Sequence, residues 1–214
     1  MAYISQRRVL IKYGRLLYKN GLVAGAQGNL SIRLKDGNIL ITPAGASKGF
    51  LKEENLIVVS LKGKKITGRG EASSELLMHL AVYKHRPEIE ACCHAHPPFA
   101  TAFSAVGRNL PSHILPEVIV VIGEIPLAKY APPGTSAVPQ SIKKLLPNHN
   151  AFILQNHGVL TIGRTIEEAY NQMEIVEHYA KIVYIAENIG KLNILNDKEV
   201  CRLERLKNSN GRNK

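Results

Sequence analysis

Between residues 29 and 67 the chain doubles back on itself too often to lie in a parallel sheet. Leu30, Ile32 and Leu34 alternate with Ser31 and Arg33, the two-residue period of a strand with one apolar face. Lys35-Asp36-Gly37-Asn38 and then Ile39-Leu40-Ile41-Thr42 follow, so two strands meet at an Asp-Gly step, the mark of a β-hairpin. Pro43-Ala44-Gly45 closes the second strand, and Leu56 to Ser60 with Ile66-Thr67 repeat the arrangement around Gly63-Lys64-Lys65. Parallel neighbours need long crossovers, so these short returns call for an antiparallel or mixed sheet rather than a doubly wound one.

Helices are expected to cover that sheet. Val9, Leu10, Tyr13, Leu16 and Leu17 make one helical face between Ile4 and Asn20, with Gly21 as the stop. Ser73 or Ser74 caps a helix that runs to about His85, before Arg86-Pro87. Ile89 to His96 reads as a buried strand, Phe99 to Val106 as a helix started by Pro97-Pro98, and Val118 to Ile122 as a continuous apolar strand. The helix Ser136 to Leu146, the strands Ala151–Leu154 and Val159–Ile162, and a long helix from Ile166 to about Asn188 complete the pattern. With no repeat and no break in composition, one αβα domain is expected over residues 1–200, an α/β fold with a central, mostly antiparallel or mixed sheet. Residues 201–214 read as a flexible basic tail, with five basic residues and one acidic residue from Arg202 onward.

Of 214 residues, 45% are hydrophobic, enough for a domain of this size to bury roughly 70% of the surface of its unfolded chain. Cys92, Cys93 and Cys201 cannot form a disulfide framework and read as reduced residues of a cytoplasmic protein. No run of ~18 apolar residues and no signal-like N-terminus is present, so no membrane association is expected. The net charge of +11 is dispersed rather than gathered into a patch, and no nucleic-acid partner is expected from it.

The strongest local signal is His94-Ala95-His96-Pro97-Pro98. Alternate strand residues share a face, so His94 and His96 point the same way, at a strand end stopped by the two prolines. His157, in Gln155-Asn156-His157-Gly158, ends another strand in the same manner. Three imidazoles leave one tetrahedral position free, as in a catalytic zinc site. Glu75, in Ser73-Ser74-Glu75, is the carboxylate partner and is expected in the first helical turn; a capping box would need Glu three residues after the cap, which it is not. His79, His85, His149 and His178 read as packing or surface residues, and His113 has no assignment. The serines at that helix start, together with the loops Gly25 to Asn29 and Thr42 to Gly45, form a candidate anion site.

Taken together, Gly28-Asn29-Leu30-Ser31, Ile41-Thr42-Pro43-Ala44-Gly45, Ser73-Ser74-Glu75, His94-Ala95-His96 and Gln155-Asn156-His157-Gly158 resemble the motifs of the class II aldolase family over residues 5–190. That family includes L-fuculose-1-phosphate aldolase, L-ribulose-5-phosphate 4-epimerase and the adducin head domain. The resemblance implies a homotetramer with active sites at subunit interfaces, and one zinc, or another divalent metal, per subunit held by His94, His96 and His157. Glu75 is implied to bind that metal at rest and to act as the acid/base. Gly28, Asn29, Ala44, Gly45, Ser73 and Ser74 fall at substrate- and phosphate-binding positions. The implied reaction is cleavage of a ketose 1-phosphate, such as L-fuculose 1-phosphate, to dihydroxyacetone phosphate and a small aldehyde such as lactaldehyde, through a zinc-stabilised enediolate.

Several residues depart from the aldolase pattern. Where a tyrosine follows the Ile-Pro that corresponds to Leu110-Pro111, this chain has Ser112 to Glu117, leaving Glu117 or His113 as the candidate proton donor. The aromatic of the loop at Tyr130 to Gly134 is replaced by proline, and no tyrosine follows in the basic tail. Ala44 stands in place of Ser or Thr, with Ser47 and Lys48 near enough to compensate. A phosphosugar dehydratase of the methylthioribulose-1-phosphate type, an epimerase or a decarboxylase on the same scaffold is the alternative. Epimerases carry Asp where Glu75 stands, and a non-catalytic adducin-like domain would not need the three histidines that are present.

Overall fold

The computed structural model describes the backbone of residues 2–212 and the side chains of residues 2–207. In chain order the elements are α1 (Ile4–Lys19), β1 (Asn29–Arg33), β2 (Ile39–Ile41), β3 (Ile57–Val59), β4 (Lys65–Thr67), α2 (Leu76–His85), β5 (Ala91–Ala95), α3 (Pro98–Ala105), α4 (Pro116–Val121), β6 (Leu127–Ala128), α5 (Ala137–Lys143), β7 (Ala151–Leu154), β8 (Gly158–Gly163), α6 (Ile166–Ile189) and α7 (Asp197–Arg212). Two short 3-10 turns, Lys48–Phe50 and Glu53–Asn55, lie between β2 and β3.

The strands form one eight-stranded sheet in the order β4-β3-β2-β1-β5-β8-β7-β6. Every described pairing is antiparallel except β6 with β7. The hairpin expected at Asp36-Gly37 is there, with Gly37 at φ +81°, the left-handed conformation that glycine adopts without strain. Both faces of the sheet are buried except at the edge strand β4, whose residues are exposed. On one side α1, α3 and α6 pack on Leu30, Leu40, Val58, Cys93 and Val159; on the other α2 and α5 pack on Ile39, Ile41, Cys92, Phe152 and Leu160. The adjacent cysteines therefore point to opposite cores, both free and buried.

Two expectations are corrected. Val118 to Ile122 is not a strand: Val118 to Val121 lie in α4 and Ile122 caps its end, with Pro116 in the first turn and Val118 and Ile119 buried. A short apolar run has no period that separates strand from buried helix, and the proline that starts a helix decides it here. The boundary expected at residue 200 falls inside α7, where Val200 and Leu203 are buried against Ile119. Residues 213 and 214 of the expected tail lie outside the described residues. Among the described residues no helix is long and apolar enough to cross a membrane.

Candidate metal centre

β1, β5 and β8 are neighbours in the sheet, and their ends meet the start of α2. Asn29 pairs with His94 across the β1–β5 ladder, and His94 and Ala95 pair with Leu160 and Val159 of β8. His96 follows the last residue of β5, after which Pro97-Pro98 turn the chain into α3; the Glu177 carboxylate accepts hydrogen bonds from the Phe99 and Ala100 N–H groups, 2.9 Å each, and anchors that turn. His157 sits in the tight connection from β7 to β8, made possible by Asn156 at φ +56°, a left-handed conformation that asparagine tolerates. Gly158 is required beside it, because a Cβ there would lie 2.5 Å from the Ala95 carbonyl oxygen and 2.7 Å from the His96 ring.

These constraints bring Glu75, His94, His96 and His157 together, with one ligand atom from each within 4.8 Å of the others. His94 Nε2 lies 2.9 Å from Glu75 Oε2, His157 Nε2 lies 3.0 Å from Glu75 Oε1, and the Nε2 atoms of His94 and His96 are 3.1 Å apart. His94 is fully buried and Glu75 nearly so, while His96 and His157 are partly exposed and open the cluster to solvent. Glu75 is not in the first helical turn as expected but is itself the cap residue of α2, its N–H donating to Ser73 Oγ at 3.3 Å.

The residues fit a divalent cation. His94 Nδ1 is 2.9 Å from the Val159 carbonyl, which can only accept, so Nδ1 carries the hydrogen and Nε2 turns its lone pair inward. Glu75 Oε1 is buried and faces His157 Nε2 at 3.0 Å; with that imidazole's lone pair turned inward the oxygen has no donor among the described residues, and a cation would satisfy it. Burial pushes the Glu75 pKa up, but His94 and His157, when protonated, outweigh it and hold the carboxyl well below the usual carboxylate range; a cation would supply that positive charge in place of their protons. Burial, with His94 and His157 alongside, lowers His96 to about 3, so its lone pair is free for a metal. A carboxylate and three imidazoles suit zinc and its neighbours in the first transition row.

The candidate anion site borders this cluster. Thr42 N–H donates to the Leu30 carbonyl, Ala44 N–H to that of Glu71, and Ser73 N–H to that of Thr42, which ties the 42–45 loop to β1 and to the approach to α2. Lys48, 1% exposed, joins the two glycine-bearing loops by donating to the carbonyls of Ala26, at 2.9 Å, and Ala46. Gly28 stands at φ +71° where a Cβ would lie 2.8 Å from the His94 carbonyl oxygen. Gly134 lies beside Ser74, so the loop after β6 reaches the same helix start. Asn29 is buried with its side chain on Glu75 rather than in the loop.

Glu117 and His113 are not brought to the cluster within one chain. Glu117 lies exposed in the first turn of α4. His113, at φ +66°, lines a separate cavity of about 530 Å³ with Tyr179, Glu204 and Lys207, none of the four cluster residues taking part. Conversely, the sequence reading passes over His79, which is fully buried and linked to Asn29.

The model of the "Class II Aldolase and Adducin N-terminal domain" family matches residues 8–184. The chain belongs to that family. Its relatives include an "L-fuculose phosphate aldolase" of Methanococcus maripaludis, 39% identical over 180 residues that cover 84% of this chain and 96% of that protein. A "3-oxo-tetronate 4-phosphate decarboxylase" of Haemophilus influenzae is 32% identical over 208 residues, 95% of this chain and 98% of the relative. A solved structure of "L-fuculose 1-phosphate aldolase" superposes with a TM-score of 0.88 at 34% identity, covering 96% of this chain and 97% of that one. As in other class II aldolases, which depend on a metal, the Glu75 cluster can hold the ion.

Proposed function

We propose that this chain is a zinc-dependent aldolase that reversibly cleaves a ketose or deoxyketose 1-phosphate, such as L-fuculose 1-phosphate, into dihydroxyacetone phosphate and a small aldehyde such as lactaldehyde. The observation that carries this reading is the position of Glu75, the one carboxylate of the cluster, at a helix start that also carries Ser73 and Ser74. The 39% identity to an L-fuculose phosphate aldolase supports it.

When bound, the cation supplies Lewis-acid polarisation of the substrate carbonyl and its neighbouring hydroxyl. His94, His96 and His157 hold it. The bond between C3 and C4 breaks, the electron pair stays on C3, and the C4 hydroxyl passes its proton to Glu117 or His113 of a second copy as the aldehyde forms, the same group returning it in the synthetic direction. Glu75 delivers a proton to C3 and, in the synthetic direction, removes it. Gly28, Ala44, Gly45, Ser73 and Ser74 would take the phosphate, with Lys48 beneath them and Asn29 steadying the carboxylate. In this reading the protein is a cytoplasmic homotetramer with sites at its interfaces, and Glu117 or His113 meets the departing aldehyde only from a second copy.

One observation favours a second reading. The chain has no tyrosine at the expected proton-transfer position, and decarboxylation has no hydroxyl proton to move at the departing group. Loss of carbon dioxide from a 3-oxo-tetronate 4-phosphate leaves the same three-carbon fragment, which is protonated at the same carbon to dihydroxyacetone phosphate. The 32% identity over 208 residues to such a decarboxylase supports this reading. Release of dihydroxyacetone phosphate does not separate the two, so the second product decides. Assays of ketose 1-phosphates and of 3-oxo-tetronate 4-phosphates, reading both aldehyde and carbon dioxide, should give aldehyde from a ketose 1-phosphate. Carbon dioxide from the keto acid with no turnover of any ketose 1-phosphate would replace the first reading by the second.

A further inference from the structure

α2 and β1 bury a row of polar groups against each other where apolar packing would be expected. Glu75, His79 and Tyr83 are spaced by four and share one face at α2, while Asn29, Ser31 and Arg33 alternate along β1 and share one face of the sheet. The two rows interlock. Asn29 Nδ2 is 2.9 Å from Glu75 Oε2, Asn29 Oδ1 is 2.5 Å from His79 Nε2, His79 Nδ1 is 2.6 Å from Ser31 Oγ, and Ser31 Oγ is 2.7 Å from the Tyr83 hydroxyl. The Arg33 guanidinium closes the row, lying 4.9 Å from the centre of the Tyr83 ring and donating to the Tyr83 carbonyl. His79 and Ser31 are fully buried, and Asn29 and Tyr83 almost so.

The hydrogen-bond inventory gives this row one direction. A carboxylate only accepts, so Asn29 must turn its NH2 toward Glu75 and its carbonyl oxygen toward His79. His79 Nε2 must then donate, which leaves Nδ1 as an acceptor, so Ser31 donates to it and accepts from Tyr83. Reversing any one member would face two acceptors or two donors in a buried setting, which is costly.

We infer that His79 is a positioning residue for the reaction. As the Nε2–H tautomer it locks the Asn29 amide, and through Asn29 it fixes the Glu75 carboxylate against the three imidazoles. Nothing else among the described residues holds that amide oxygen. This inference rests on the reading of Glu75 as a metal ligand and acid/base, and concerns how Glu75 is held rather than what it does.

The test compares wild type with His79→Leu, which removes the donor at similar volume, and His79→Gln, which restores an N–H toward Asn29. Zinc affinity, measured by competition with a chromogenic chelator, should fall about tenfold to a hundredfold in His79→Leu and recover in His79→Gln. kcat should fall and recover in parallel, with the KM for a phosphorylated substrate little changed, because the phosphate loops are untouched. Nitrogen-15 NMR of wild-type His79, assigned by the signal lost in His79→Gln, should show Nε2 protonated and Nδ1 bare. The tautomer itself is read in the wild-type protein, and His79→Gln serves the assignment alone. A folded His79→Leu with wild-type zinc affinity, or a wild-type His79 protonated at Nδ1, would overturn the inference. If Glu75→Gln kept full turnover, the acid/base reading would fail instead, while the zinc-affinity and tautomer measurements would still judge His79.

Discussion

Asn29 and His94, paired in register across β1 and β5, converge on one atom: Oε2 of Glu75 lies 2.9 Å from Asn29 Nδ2 and 2.9 Å from His94 Nε2. The sheet ladder thus sets the geometry of the metal centre, and α2 brings the carboxylate to it. Because one strand pair supplies both a metal ligand and the group that steadies the carboxylate, small backbone changes there should reach the chemistry directly.

His94 is the fully buried histidine of the cluster and the one whose tautomer the fold fixes. His94→Ala should therefore cost most of the metal, leaving well below one equivalent after dialysis where wild type keeps about one. Metal analysis of purified protein checks this, and a stoichiometric ion in the variant would place the metal elsewhere.

The tight connection at His157 depends on Gly158. Gly158→Ala puts a methyl group against the Ala95 carbonyl and the His96 ring, so β5 and β8 must separate at the end that carries the ligands. The expected outcome is a loss of about 1–3 kcal/mol in chemical denaturation together with weakened metal binding. A variant as stable and as metal-avid as wild type would show that the turn has slack the packing does not suggest.

Lys48 makes stability depend on pH in a known direction. Burial lowers its pKa from 10.5 to about 8. Below pH 8 the lysine is charged in both the folded and unfolded chain, and the folded chain bears the cost of burying that charge. Between pH 8 and 10.5 the unfolded chain binds more protons than the folded one, so stability should rise through this window. The rise attributable to Lys48 is on the order of 3 kcal/mol at its upper end. Urea midpoints from pH 7.5 to 10.5 should therefore climb in wild type relative to Lys48→Met; parallel curves would contradict the assignment.

Much of the site is legible in the sequence because its chemistry sits at element ends, where signals are sharp. The prolines after His96, the glycine after His157 and the serines before Glu75 mark three chain turns, and the structure brings all three together. What could not be read are relations between elements. Ser31 and Arg33 have the alternation of a solvent-facing strand side, yet that side lies under α2, and only the pairing of its two-residue period with the four-residue spacing of Glu75, His79 and Tyr83 reveals the buried row. The charge of +11 likewise hides structural roles: Lys48 ties two loops, and buried Arg7 donates to the carbonyls of Glu53 and Leu56. Apolar content alone said nothing of helix or strand at Val118 to Ile122.

The central claim is that Glu75 moves a proton at C3 of dihydroxyacetone phosphate beside a metal held by His94, His96 and His157. Zinc-loaded protein incubated in D2O with dihydroxyacetone phosphate alone, with no aldehyde or keto acid, tests this most directly by NMR. The account predicts exchange of one of the two C3 hydrogens in wild type, and none in Glu75→Gln or after the metal is removed. Absence of exchange in the zinc-loaded wild type, or undiminished exchange in Glu75→Gln, would contradict it.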